Sequence, residues 1–585
     1  MVEPILYASR SGVHGLICRG RVRAQKLEPM SVLPLLWAGF LTAVVVGPWL
    51  SPGYLFGTDW PGPRRFDFLL APSSSVPVGA VMASLSWIVG GEVTGKLFVI
   101  VILFTAGSLA YGTVLGGGFV PRAAAATIYL INPFVYGRLH YGQLFLLGAY
   151  AVFPLAASRF RLLMVEPRIV TALLAAAAFA LVGMFSPHVL LIASLLAAAL
   201  LVTHLLAANK PDAKTRREYL RRLGSMLILA FGATLALSAY WLAPFVVGRG
   251  PEANAIAGTG AADLGAYAAV GDPSVGLLPN LLGLYGFWAE DSGRFTSMKA
   301  FVPAWPVVIG LILALASIGA LAAIRRGSAK ERTWVFGLVL AGAVAILLEM
   351  GISNPSTAPL VSWLDSHFVI YRGMRDAGKW AVLLAFVYSQ LASLGAVAIL
   401  AAVRTRFSDA NGTGLFTGSA AALLLALPLY YGNGLLFGMH GEIKPSAYPA
   451  GWYAVDRFLV SDPHPGNTLA LPWHEYMSYT FIRNQNRVVA APAPSFFSVP
   501  IVVSNDPEVP GVVPPRSNLQ EAISALVRSG SNGQWADVLM ANHIKYIVLA
   551  RDLDWSYFMF LDDQPGLTKV GDFGSIVLYR NELVS

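Results

Sequence analysis

The sequence predicts an all-α, multi-pass membrane protein that ends in an α/β domain, and three observations lead there. The 585 residues are 56% hydrophobic and only 12% charged, with a mean hydropathy of +0.61, whereas soluble domains carry roughly a quarter charged residues. The apolar residues fall in repeated runs of about 20, the length that spans a bilayer. After Tyr430 the runs stop, and 441–585 reads as a soluble domain of ordinary size, about 145 residues.

Net charge is +9, but the basic residues gather in short loops between apolar runs. That pattern reports topology and argues against nucleic acid as a partner. Residues 1–30 carry Arg10, Arg19, Arg21, Arg23 and Lys26 without a long apolar core. They read as a cytoplasmic basic arm rather than a cleavable signal peptide, so the first span serves as its own insertion signal. Met30, directly before that span, leaves a second start open. The single cysteine, Cys18, precedes the first span, so disulfides have no part in the exported regions.

Taken in order, hydropathy gives about eleven spans: 31–50, 95–115, 123–137, 143–157, 169–186, 188–207, 223–248, 301–324, 333–351, 379–403 and 415–430. The stretch 76–90 is apolar but short and is expected to lie on the membrane surface. The basic arm, Arg122, the Arg159/Arg161/Arg168 loop, Lys214–Arg222, Arg325/Arg326/Lys330/Arg332 and Arg404/Arg406 then all fall on one side, which is the cytoplasmic one. The Asn411 glycosylation-like triplet falls on that inner side and reads as a polar turn. The long loops 51–94, 249–300 and 352–378 face outward, and elaboration on one face places the work there.

The first outer loop holds PGYLFGTDWPGPRRFDF, Pro52 to Phe68. Pro and Gly make it stiff, and Asp59, Arg64, Arg65 and Asp67 stand at the mouth of a span, where charge is costly unless water, ligand or partners receive it. The segment 123–137 is too short for an ordinary crossing and carries Asn132-Pro133. Arg138, His140, Tyr141 and Gln143 follow before the chain returns. Short, Pro-interrupted segments with polar residues at depth line cavities, and a tight hairpin with Arg138 reaching head groups is the alternative. FSPH, ending at His188, turns the chain. The third loop ends in YRGMRDAG, which sets Arg372, Arg375, Asp376 and Lys379 at a span entrance.

In the last domain NTLALPW, IKYIVLA and FGSIVLYR read as strands. LQEAISALVR and GQWADVLMANH read as helices, and 505–514 as a loop. The His474-Glu475 pair lacks the second histidine of a zinc-protease helix and reads as a structural or surface feature. There is no P-loop, GxGxxG or GxSxG.

An inner N-terminus, ten to thirteen spans, an acid in the first outer loop, NPFVYGRLHYGQ and a terminal α/β domain with IKYIVLA and SIVLYR together resemble the GT-C superfamily of membrane glycosyltransferases. They also resemble bacterial membrane proteins related to actinobacterial arabinofuranosyl- and mannosyltransferases. The resemblance covers the architecture end to end. It implies a polyprenyl-phosphate-linked sugar donor, a glycan, lipid or protein acceptor in the cell envelope, and a site at the outer membrane face. The catalytic acid of the first loop maps to Asp59, with Asp67 as the alternative. The acidic pair many members carry there is missing, which leaves a divalent metal open and makes Glu290 and Asp291 secondary candidates. Donor phosphate would be held by Arg64, Arg65, Arg138, Arg372, Arg375 and Lys379, because guanidinium forks match phosphate oxygens. His140 and Gln143 join them on the substrate side. A lipid-linked-sugar flippase and a non-catalytic assembly factor are the other readings. The first lacks visible inverted repeats, and the second would follow from a structure without a cavity joining Asp59 to the bilayer.

Reporter fusions check the topology. A reporter active only in the cytoplasm should be active after Lys214 or Arg326 and inactive after Ser585. Activity at Ser585 would put the α/β domain inside.

Overall fold

The computed structural model describes residues 32–115, 117–207, 213–293, 296–407, 413–510, 512 and 517–584. The basic arm with Cys18 and Met30, and the Asn411 triplet, lie outside them. The bundle is built from α1 (Val32–Val46), α2 (Val76–Thr113), α3 (Phe119–Leu130), α4 (Pro133–Tyr141), α5 (Leu144–Val165), α6 (Ile169–Phe185), α7 (Pro187–Leu206), α8 (Ala213–Val246), α9 (Trp305–Arg326), α10 (Ala329–Met350), α11 (Ala381–Arg406) and α12 (Thr413–Tyr431). Among the described residues nine helices are long and apolar enough to cross a membrane. The other two expected spans are α6, with 17 residues, and the α3–α4 pair.

That pair is broken, and Asn132-Pro133 breaks it. Proline cannot donate to the preceding turn, so the helix stops and restarts with Pro133 in its first turn. Asn132 serves both ends: Nδ2 donates to the carbonyls of Ile128 and Tyr129, each at 2.9 Å, and Oδ1 accepts from the Val135 amide at 3.0 Å. Orphan groups of two helix ends are thereby satisfied by one side chain. The result is a nine-residue helix, α4, whose side chains are all buried. It ends at Gly142, whose φ of +83° turns the chain into α5.

The stretch 76–90 is the first part of α2 and joins the span through Gly90, where φ is +80°. Trp87 and Ile88, each 81% exposed, face outward on this arm. Deep in the bundle α11 crosses α9 with backbones in contact. A Cβ on Gly319 would lie 2.0 Å from the Leu391 carbonyl, and one on Gly395 2.0 Å from that of Leu315. Small residues allow such close packing where lipid supplies no hydrophobic drive.

The C-terminal domain carries α13 (Ala450–Ser461), β1 (Asn467–Leu471), β2 (Tyr476–Ser478), β3 (Val488–Ala490), β4 (Ile501–Val502), α14 (Asn518–Ser529), α15 (Trp535–Ala541), β5 (Ile544–Ala550), β6 (Leu567–Asp572) and β7 (Ile576–Asn581). Five strands form a mixed sheet in the order β4-β1-β5-β7-β6, with β1 parallel to β4 and β5, and β7 antiparallel to β5 and β6. Every residue of β5 is buried. Tyr546, Val548 and Ala550 meet α13 and its aromatic neighbours on one face, while Ile547 and Leu549 meet α14 and α15 on the other. Separately, β2 and β3 form a hairpin that pairs Tyr476 with Ala490 and Ser478 with Val488.

The first loop lies between bundle and domain and belongs to both. Phe56, 1% exposed, sits in the aromatic core of the C-terminal domain. Tyr448 Oη donates to the Pro61 and Gly62 carbonyls, Asn484 Nδ2 to that of Phe56, and the Ala490 amide to that of Thr58. Arg64 forms an ion pair with Asp456 of α13. Phe56→Ala should open a cavity costing about 3–5 kcal/mol. A lower denaturant midpoint and faster proteolysis of 441–585, with the bundle intact, would show it.

Candidate active site

Asp59 occupies the tip of the loop at the junction of the two domains. Its amide donates to the Tyr141 carbonyl at 2.7 Å, and a tight turn is closed by the Gly57 and Trp60 backbones at 2.9 and 3.0 Å. Glycine is required on both sides of this contact. A Cβ on Gly57 would meet Gly142 Cα at 2.8 Å, and one on Gly142 would meet Trp60 Cβ at 2.6 Å.

Two side chains hold the carboxylate. Gln143 Nε2 donates to Oδ2 at 3.1 Å, and Tyr476 Oη, from the β2–β3 hairpin, donates to Oδ1 at 3.1 Å. Gln143 Oε1 in turn accepts from Arg138 Nη1 at 2.7 Å. Arg138 grips Asp376 with both guanidinium nitrogens, the second contact at 3.1 Å, and lies over the Phe287 ring at 4.2 Å. Asp59, Gln143, Arg138 and Asp376 thus form one continuous polar chain.

The electrostatics follow from this packing. Burial pushes the Asp59 carboxyl above its ordinary value. Gln143, Tyr476 and Arg138 oppose the rise, and the Asp376 charge adds to it. Burial also works against the Asp376 charge, but Arg138 and then Lys379 outweigh it and hold that carboxyl low. Glu475, beside Tyr476, is pushed up to about 7 by burial and by Asp59, Asp506 and Glu508.

Beyond Asp376 the same segment brings in more cations. Lys379 Nζ makes a long contact, 3.4 Å, to the Gly373 carbonyl. Arg375 donates to Asp263 at 2.7 Å and covers the Tyr267 ring at 4.5 Å. Tyr267, Trp288, Phe287 and Tyr141 meet edge to face and form an aromatic wall between Arg375 and the Asp59 turn. Arg138, Tyr136, Tyr285, Phe287, Glu290 and Gly378 line a cleft on the bundle side.

The structure therefore brings Asp59, Arg138, Gln143, Arg375 and Lys379 to one end of the bundle. Most of the other expected site residues are held by partners of their own. Arg64 is bound to Asp456, and Arg65 pairs with Asp67 at 3.2 Å on the surface. Arg372 Nε donates to the Asp365 carbonyl at 3.2 Å, and His140 faces Glu442 at 3.7 Å. Glu290 accepts from Ser297 at 2.6 Å and pairs with Lys299 at 3.2 Å. Asp291 ends a short 3-10 turn, Trp288–Asp291. Tyr476, Glu475 and the role of Asp376 were not among the sequence candidates. An acid beside arginines at a span entrance was the available signal for Asp376; nothing local signalled Tyr476. Glu349, in α10, is wholly buried beside the Arg138–Asp376 pair, and neither of its oxygens has a hydrogen-bond partner among the described residues. A carboxyl two residues from the end of an apolar span was its signal. Among the described residues no three His, Cys, Asp or Glu side chains converge to hold a metal.

No family model matches the chain, and no curated protein matches it in sequence. Solved structures do. Arabinofuranosyltransferase AftD from Mycobacteria aligns with TM-score 0.54 and 16% identity over 95% of this chain, and a variant of it with 0.57 and 17%. The chain shares the fold of that arabinofuranosyltransferase. ArnT from Cupriavidus metallidurans, bound to undecaprenyl phosphate, aligns with TM-score 0.37 and 13% identity over 95% of this chain and 97% of its own. The chain spans about two fifths of the AftD length, 42% and 40% in the two structures.

A double-mutant cycle tests the polar chain. Arg138→Ala alone leaves Asp376 buried without its partner and should cost about 3–5 kcal/mol. Adding Asp376→Ala should recover part of that loss, as read by thermal unfolding in detergent.

Proposed function

We propose that this protein is a GT-C glycosyltransferase that moves a sugar from a polyprenyl-phosphate-linked donor to a hydroxyl of a cell-envelope glycan, lipid or protein. The observation that carries this reading is Asp59. It is a carboxylate at the membrane-domain surface, held by one donor from the bundle and one from the C-terminal domain. The basic loops Lys214–Arg222 and Arg325–Arg332 support an extracytoplasmic position for the opposite, Asp59-bearing end.

In the reaction the acceptor oxygen attacks the anomeric carbon while the bond from that carbon to the phosphate oxygen breaks. Asp59 takes the acceptor proton, and polyprenyl phosphate leaves with the bonding pair. The leaving group is already a phosphate and needs no protein acid, so one base is enough for a single displacement with inversion. Each Asp59 oxygen accepts one protein hydrogen bond and keeps a lone pair for the acceptor. Lys379, whose one hydrogen bond among the described residues is a long contact to a carbonyl, has donors to offer the phosphate. Arg375 stands beside it.

Asp59→Asn should lower turnover by roughly 10²–10⁴ while the fold and donor binding survive. Asp67→Asn should leave turnover near that of the parent. The assay uses synthetic polyprenyl-phosphate arabinofuranose and mannose donors with alkyl glycoside acceptors in proteoliposomes. Parent-like turnover in Asp59→Asn would remove Asp59 as base.

Lys379→Ala should weaken binding of a short-chain polyprenyl phosphate by about 1.5–3 kcal/mol, the worth of one charge-assisted hydrogen bond. Unchanged affinity would take Lys379 out of the phosphate site.

A further inference from the structure

The C-terminal domain touches Asp59 through one short element. The β2–β3 hairpin stands apart from the five-stranded sheet and is fastened to the Asp59 turn at its neighbour, where the Ala490 amide donates to the Thr58 carbonyl at 2.8 Å. Cross-strand register places Tyr476 opposite Ala490, so while β3 grips the turn, β2 presents the Tyr476 hydroxyl to Asp59 Oδ1 at 3.1 Å. Glu475 is fixed by the same ladder, its carbonyl accepting from the Ala491 amide at 2.8 Å.

We propose that this hairpin is part of the active site, with Tyr476 a positioning residue whose hydroxyl orients the Asp59 carboxylate. The inference rests on the reading of Asp59 as the base and gives the C-terminal domain a share in the chemistry. Other groups face Asp59 from each packed element. Arg138 and Gln143 come from α4 and the turn after it, Asp376 from the segment before α11, and Tyr267 from the second loop. Glu475 faces Asp506 and Glu508 as well as Asp59. From the hairpin, Tyr476 reaches Asp59 with a hydrogen bond. A hydroxyl donating to a carboxylate favours its charged form, and a neighbouring carboxylate disfavours it. The burial that raises Asp59 makes both influences strong, because low dielectric amplifies hydrogen bonds and charges alike.

The sign of the substitution follows. A base must be ionised, so activity is lost as pH falls through the Asp59 pKa. Tyr476→Phe removes the stabilising donor and should move that loss to higher pH. At the acid end, Tyr476→Phe should be about two- to tenfold slower than the parent, the worth of one hydrogen bond, and the two should converge toward alkaline pH. A residue needed only for folding would lower the rate at every pH.

The experiment is an infrared pH titration of the full-length protein in proteoliposomes. The parent-minus-Asp59→Asn difference isolates the Asp59 carboxyl band without any substrate. Each hairpin variant is then titrated against its own Asp59→Asn double. A midpoint displaced upward in Tyr476→Phe supports the inference. A midpoint that stays at the parent value, or moves down, overturns it. Should Tyr476→Phe fail to fold, the Tyr476→Leu midpoint decides alone. A displaced midpoint in a protein whose Asp59→Asn variant still transfers sugar would sink the base assignment while leaving the hairpin's electrostatic role standing.

Discussion

Arg138 is the charge around which the junction is built. Its side chain is 1% exposed, and a buried guanidinium is tolerated only when its donors are met by charge and hydrogen bonds. Asp376 supplies the charge, Gln143 an acceptor, and the Phe287 face a cation–π contact. Each partner has consequences of its own. Gln143, held by Arg138, turns its amide nitrogen toward Asp59. Asp376, held by Arg138, fixes the segment that leads to Lys379 and α11. The short helix that carries Arg138 exists only because Asn132-Pro133 interrupts a span. The broken crossing, the ion pair and the position of Asp59 are one arrangement.

The C-terminal domain completes the same arrangement from the other side. The first loop gives Phe56 to its aromatic core, backbone carbonyls to Tyr448 and Asn484, and Arg64 to Asp456. A Pro- and Gly-rich loop at a membrane surface would lose its conformational freedom at a cost of about 1–2 kcal/mol per residue. Docking against a folded domain offsets that cost and leaves Asp59 in a single geometry between Gln143 and Tyr476. The domain is thus a second wall of the site as well as an appendage to the bundle.

The spans, the break at Asn132-Pro133, β1, β5 and β7 were legible in the sequence, because hydrophobic runs, proline and β-rich segments act over a few residues. Asp59 and Arg138 were legible as charges placed where charge is costly. Their partners were harder to read. Arg64 looked like a phosphate ligand from its place beside Asp59, yet its counter-ion is Asp456, which lies on a helix about 390 residues further along the chain. Glu475, in a pair with His474, carried no pattern that pointed to a membrane loop. His474 itself is held between Glu508 at 2.6 Å and Asp554 at 3.3 Å on the domain surface.

By itself, then, the sequence determined the membrane-spanning class, the polarity of the loops and the presence of an acid and an arginine near one membrane face, since each of these is written in local composition. Only the tertiary structure decided which polar groups meet. Tyr476 reaches Asp59 across 417 positions, and Asp376 reaches Arg138 across 238. Partners of that kind are chosen by the need to satisfy buried charge wherever the packed elements happen to converge, and sequence spacing holds no record of it.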